Sequence, residues 1–169
     1  MTNSPSFKLI QNYYGNKVAN RSQVPLINHI IEGMEVLTMI GADDYTKDAF
    51  CIHPIIQNDE DFAINKDWIL HLDPSVIDPS VVHFALEYRN IANQYLSFRA
   101  IDSLDDIKLS PVAEVNQMLI ADKVQNYKDF LIYHQATHPR SRELTHYFCN
   151  WLKKLNAVHI FETYFDLKR

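Results

Sequence analysis

Glycine is scarce in this chain. It occurs three times in 169 residues, at Gly15, Gly33 and Gly41. Neither Asn-Gly nor Asp-Gly appears, so the commonest tight hairpin turns are missing and a hairpin-rich β architecture has little to build on. Cysteine is almost as rare: Cys51 and Cys149 lie far apart among apolar neighbours, which excludes a disulfide framework and suits core thiols of a cytoplasmic protein. An excess of positive charge is also lacking. The net charge of -5 offers no general field to a nucleic-acid backbone or an anionic membrane. No apolar run approaches the length of a membrane span, and the first residues carry neither the basic region nor the apolar stretch of a signal peptide.

What is present is ordinary globular material. Hydrophobic residues make up 47% and charged residues 22%, and nine Phe, nine Tyr and two Trp supply bulk for one core. That length and composition predict a single domain over residues 1–169. Apolar spacing is helical. In Pro25 to Ile40, Ile27, Ile30, Ile31, Met34 and Leu37 fall on one side, and Gly41 is placed to end the helix. Asp43-Asp44 opens a second helix through Tyr45 to His53, and Pro54 is expected to interrupt it. Residues 57–78 read as polar and irregular, with a short apolar element around Trp68 to Leu72. Asp78-Pro79-Ser80 caps a helix running to about Arg99, and Ser110-Pro111 starts a long one through Tyr133. After a break at His138 to Ser141, Ser141 to Asn156 forms the next, and His159 to Phe165 adds a last amphipathic turn or two. The fold class is all-α.

Three stretches carry chemistry. Pro25-Leu26-Ile27-Asn28-His29 puts a histidine near a helix start. Ala49 to Asn58 puts His53 at the end of an apolar helix. Met118 to Asn126 is a buried-looking helix with Asp122 and Asn126 one turn apart on one face. Two imidazoles and a carboxylate from three helices suit a divalent metal. A histidine on a helix is also commonly just solvated or hydrogen-bonded, and eight histidines allow many accidental combinations. On the residues alone both readings stand.

The order and separation of these blocks resemble the HD domain of RelA/SpoT-type and small animal-type alarmone (guanosine tetraphosphate) hydrolases. There a Pro-Tyr-Ile-Asn-His block starts one helix, a Leu-His-Asp block followed by Glu-Asp ends the next, and a Leu-Ala-Asp-Lys-Leu-x-Asn block lies on a later helix. The resemblance is loose over most of the chain and close over about two dozen positions. It implies a compact HD-type helical domain with a divalent ion (Mn, Fe or Zn) on His29, His53 and Asp122. Asn126 would contact a nucleotide, and Lys17 and Arg21 fall where the family keeps basic residues. Tyr133 and His134, with Lys128, His138, Arg140 and Arg142, form a cluster suited to phosphates and a base. A second cluster holds Glu87, Tyr88, Arg89, Asn93 and Tyr95; the tyrosines of both clusters serve equally well as core-edge residues.

The departures matter as much. Pro54 stands where the family has a metal-binding aspartate, and Gln57 and Asn58 stand where it has the Glu-Asp pair that activates water. Amides position a water or a ribose hydroxyl but cannot take a proton at neutral pH, a loss worth ~10²–10⁴ in rate. Asp59-Glu60-Asp61 or Glu32 can be imagined as replacements, yet a solvated loop and a surface carboxylate are their simpler readings. The leading expectation is therefore a nucleotide-type ligand bound with hydrolysis lost or much reduced. An active metal-dependent phosphohydrolase comes second. A helical protein-interaction module, with a protein partner or a second copy of the chain, comes third.

Overall fold

The computed structural model describes residues 4–20, 22–96 and 103–168, and among these every regular element is helical. Helix α1 is Pro5–Tyr14, α2 Ile27–Met39, α3 Asp44–Gln57 and α4 Asp59–Leu70; α5 is Pro79–Ala92, α6 Ala113–Asp129, α7 Ser141–Lys154 and α8 Val158–Lys168. A single bridge between Val18 and Pro25 is the one β pairing among the described residues. The all-α architecture agrees with the sequence.

The ends are set by local chemistry. Ser4 accepts from the Phe7 amide and Pro5 occupies the first turn of α1, a start the spacing of apolar residues did not reveal. Asp43 caps α3 by accepting from Thr46, and Asp78 caps α5 by accepting from Ser80. Gly41, at φ +73°, turns the chain out of α2 while the Ala42 amide reaches back to the Leu37 carbonyl.

Two expected boundaries are corrected. Pro54 does not interrupt α3, which runs on to Gln57. Proline cannot donate to the carbonyl four residues back, but the His53 side chain does so instead, with Nδ1 2.6 Å from the Phe50 oxygen. Residues 59–70 are not irregular but form α4. Asn58 Oδ1 accepts from the amides of Glu60 and Asp61, and the acidic run fills the first turn, where the helix dipole favours it. Among the described side chains of α4, Phe62, Asn65 and Ile69 face the core within a largely polar segment, so the helical period is weak in the sequence. The expected course of α5 to Arg99 is cut at Ala92 and followed by a 3₁₀ turn over Asn93–Tyr95; Arg99 lies outside the described residues.

Helix α6 runs through the middle, packed against α2, α3, α5, α7 and α8. It buries Val115, Met118, Leu119 and Val124 as any core helix would, but also Asp122, Lys123, Gln125 and Lys128. Buried polar groups persist only when paired, so this helix signals a polar network inside the protein. It ends in a π-helical turn, Phe130–His134, whose extra residue shifts the register of the chain beyond it.

The α2–α3 contact is close because position 33 has no side chain. A Cβ on Gly33 would lie 2.1 Å from Phe50 Cε1, and that ring is wedged between the imidazoles of His29 and His53, at centroid distances of 5.6 and 4.6 Å. Gly33→Ala is expected to lower stability by about 1–3 kcal/mol despite alanine's better helix propensity, because the ring has no room to move. Urea unfolding measures this, and an unchanged or raised midpoint would contradict the packing described.

Candidate metal centre

His29 stands in the first turn of α2, His53 near the end of α3 and Asp122 mid-way along α6, and their side chains converge. One donor atom from each lies within 4.8 Å of the others. His29 Nε2 is 3.4 Å from His53 Nε2 and 3.7 Å from an Asp122 oxygen. Donors on one ion at bond lengths of about 2.1 Å and tetrahedral angles are about 3.4 Å apart. The spacing fits.

The hydrogen-bond partners decide where the imidazole protons sit. The Phe50 carbonyl can only accept, so His53 Nδ1 carries the hydrogen and Nε2 is left with its lone pair. Gln125 fixes His29 in the same way. Its Nε2 donates to Glu32 and Asp129, 3.1 and 2.7 Å away, so its oxygen must face His29 Nδ1 at 2.7 Å and receive that proton. When neutral, as metal ligands must be, both rings turn a bare Nε2 to the same point, beside a carboxylate. Three electron-rich atoms facing one another are repulsive until a cation joins them.

Asp122 is held from two sides: Asn126 Nδ2 donates to Oδ1 at 2.8 Å and Lys123 Nζ to Oδ2 at 2.8 Å. Burial works to raise its carboxyl, but the Lys123 ammonium and then the imidazoles outweigh it and hold the group below the usual carboxylate range. Lys123, also buried, lies over the rings of Trp151 and Tyr147 at 5.1 and 5.6 Å. A further polar group points here. The fully buried Tyr88 hydroxyl neighbours the Asp122 carboxylate, and its ring lies edge-on to His53 at 4.8 Å.

His53 is 2% exposed, and burial, followed by the facing His29 ring, pushes its pKa down to about 3. An unfolded histidine titrates near about 6.5. Below that pH the unfolded chain takes up a proton that the native ring refuses, so stability falls as the pH drops from about 6.5 towards 3. Between pH 7 and 4.5 the metal-free protein is expected to lose about 2–3 kcal/mol from this residue. Urea unfolding at the two pH values should show a steep loss in the parent and a shallow one in His53→Gln. Equal losses would contradict a neutral buried imidazole.

The triad forms one wall of a cavity of about 540 Å³ between α2, α3, α6, the π turn and α7. Gln57, Lys123, Asn126, Asp129, His134 and His138 add polar lining, and Leu96, Phe130, Leu144, Tyr147 and Phe148 an apolar end. A comparison with family profiles, curated proteins and solved structures gives no match. The residues of the site are therefore placed by geometry alone.

Of the candidates read from the sequence, His29, His53 and Asp122 meet, and Gln57, Asn126 and His134 line the cavity. Asn126 and His134, eight residues apart, both line that cavity. Three others do not take part. Asn58 is exposed and spent on capping α4. Tyr133 is 44% exposed and outside the lining, because the π turn brings Phe130 and His134 to the cavity and sends its neighbour outward. Lys17 is exposed, lies over the Tyr13 ring at 4.9 Å and is not part of the cavity lining. Arg21 lies outside the described residues.

The imagined replacements for the missing acids are accounted for as well. Asp59 pairs with Arg89, Asp61 accepts from Tyr13, and Glu32 pairs with Lys128 at 2.6 Å rather than reaching the centre. Arg89 Nη1 also binds the carbonyls of Ile56 and Gln57, and Asn93 binds that of Gln57, so this cluster closes the end of α3. The residue the sequence reading missed is Gln125, which orients His29. Its one signal is position: it extends the polar run of Asp122 and Lys123 on a helix too buried to solvate it.

Proposed function

We propose that this chain is an HD-type domain, similar to alarmone hydrolases, that binds a nucleotide-type phosphorylated ligand over a divalent ion, with hydrolysis lost or much reduced. The observation that carries the reading is the meeting of two imidazole Nε2 atoms and one carboxylate oxygen at spacings suited to a single ion. Two nitrogens and one oxygen form a borderline donor set, which suits Mn, Fe or Zn better than Mg or Ca. When bound, such an ion offers an open position that attracts and polarises a phosphoryl oxygen.

The chain's own residues support binding more than turnover. Asn126 and Lys123 steady Asp122, while His134 and His138 supply polar lining to the same cavity. The apolar end, with Tyr147 and Phe148, suits the face of a base. Gln57 reaches the cavity where the resembling family has an acid, and its amide can orient a hydroxyl without accepting its proton. The hydrolase reading has one observation in its favour: Asp129 is a second carboxylate on the cavity wall. It is, however, engaged by Lys128 and Gln125. A cavity of about 540 Å³ left open by side chains counts against a pure interaction module.

Thermal melting with Mn²⁺ and guanine or adenine nucleotides tests this. A ligand at about 100 times its Kd adds about 2.7 kcal/mol, a rise of roughly 5–10 °C for a chain of this size. The rise should need both Mn²⁺ and the phosphates, and phosphate release should be slow or absent. No shift with any nucleotide would overturn the ligand class, and rapid phosphate release that stops in Asp129→Asn would favour the hydrolase.

A further inference from the structure

We propose that Pro54 is a positioning residue: by withdrawing a backbone donor from inside α3 it fixes the tautomer of His53 and so aims the His53 Nε2 lone pair at the centre. In an uninterrupted helix the amide of residue 54 would occupy the Phe50 carbonyl. Proline has no amide hydrogen, so that carbonyl, buried in the core, is left without its helical partner. His53, one residue earlier, turns its ring back along the helix and donates Nδ1–H to the same oxygen at 2.6 Å. The opposite tautomer would set a nitrogen lone pair against the carbonyl at that distance, which is repulsive. It would also place a hydrogen on Nε2, leaving no lone pair there for an ion.

A metal-binding histidine is normally oriented by what its other nitrogen donates to, commonly a carboxylate or a backbone carbonyl. For His29 that acceptor is the Gln125 side chain; for His53 it is a main-chain oxygen that only a proline at position 54 releases completely. The residue that cannot itself bind an ion thus organises the neighbour that can. Its relevance to function rests on the metal-site reading above, whereas its effect on the tautomer does not.

The test compares the parent with Pro54→Ala and Pro54→Ser, both of which restore an amide hydrogen. Two-dimensional ¹⁵N–¹H correlation of the histidine side chains in metal-free protein near neutral pH reads the tautomer. Titration with Zn²⁺ alone reads affinity, and thermal melting reads the fold. In the parent, His53 is expected to be entirely Nδ1–H. In the variants the restored amide competes for the Phe50 carbonyl, so an Nε2–H population appears and Zn²⁺ binds about 10–100-fold more weakly. Melting temperature should hold or rise, because a regular helical bond is regained. A merely structural proline would not move stability and affinity in opposite directions. Variants that keep the Nδ1–H form and bind Zn²⁺ within about twofold of the parent would overturn the proposal, as would Nε2–H in the parent itself. A parent that binds no Zn²⁺ refutes the metal site, and the tautomer comparison still decides what Pro54 does.

Discussion

His29→Ala is expected to remove tight divalent-metal binding while leaving the stability of the metal-free protein within about 1 kcal/mol of the parent. Three donors converge on one point, and with His29 gone only His53 and Asp122 remain, too few to hold an ion against water. The loss should exceed the 10–100-fold typical of disturbing a residue behind the ligands, so a Kd raised more than about 100-fold is expected. The small cost to the fold follows from position. His29 is partly exposed, so its removal forfeits little burial beyond the bond to Gln125 and the contact with His53. Titration calorimetry with Mn²⁺ or Zn²⁺, set beside urea unfolding, reads both quantities. Undiminished stoichiometric binding would place the ion elsewhere.

Asp122→Ala should be far more damaging to the fold. Lys123 is 7% exposed, and its charge is balanced by the Asp122 carboxylate at 2.8 Å, with two aromatic rings as the remaining shell. Removing one partner of a buried pair leaves an uncompensated charge and costs about 3–5 kcal/mol, or roughly 10 °C in melting temperature for a domain of this length. The double variant Asp122→Ala with Lys123→Met removes the charge together with its partner, and it should recover at least about half of that loss. Neither variant should bind metal. The pair of results separates what Asp122 does for stability from what it does for the site. A single variant costing less than about 1 kcal/mol would mean that Lys123 reaches water unaided.

How far the sequence disclosed this depends on whether a residue's partners lie near it in the chain. Helices α2, α5, α6 and α7 were legible because apolar spacing and capping residues are local. Helix α4 was not, because the described side chains it turns to the core, Phe62, Asn65 and Ile69, are spread through a polar segment. Pro54 misled for an instructive reason: the rule that proline breaks helices assumes that the orphaned carbonyl finds no other donor, and here His53 supplies one. The meeting of His29, His53 and Asp122 was implied by the resemblance of three ordered blocks to the HD-type domain, not by their spacing alone. That resemblance does not give the groups between them. Gln125 was missed, and the pairing of Glu32 with Lys128 was not foreseen, because these contacts are made across the α2–α6 interface. Tyr133 faced the wrong way because one π turn changes the register by a residue, and nothing in Phe130 to His134 announces it.

The central claim is that His29, His53 and Asp122 surround one divalent ion. Anomalous X-ray scattering from crystals soaked in Mn²⁺ or Zn²⁺ tests it most directly. The account predicts a single strong peak about 2.0–2.2 Å from both Nε2 atoms and from one Asp122 oxygen. No peak at that point under saturating metal, with a proton shared between the imidazoles instead, would contradict it.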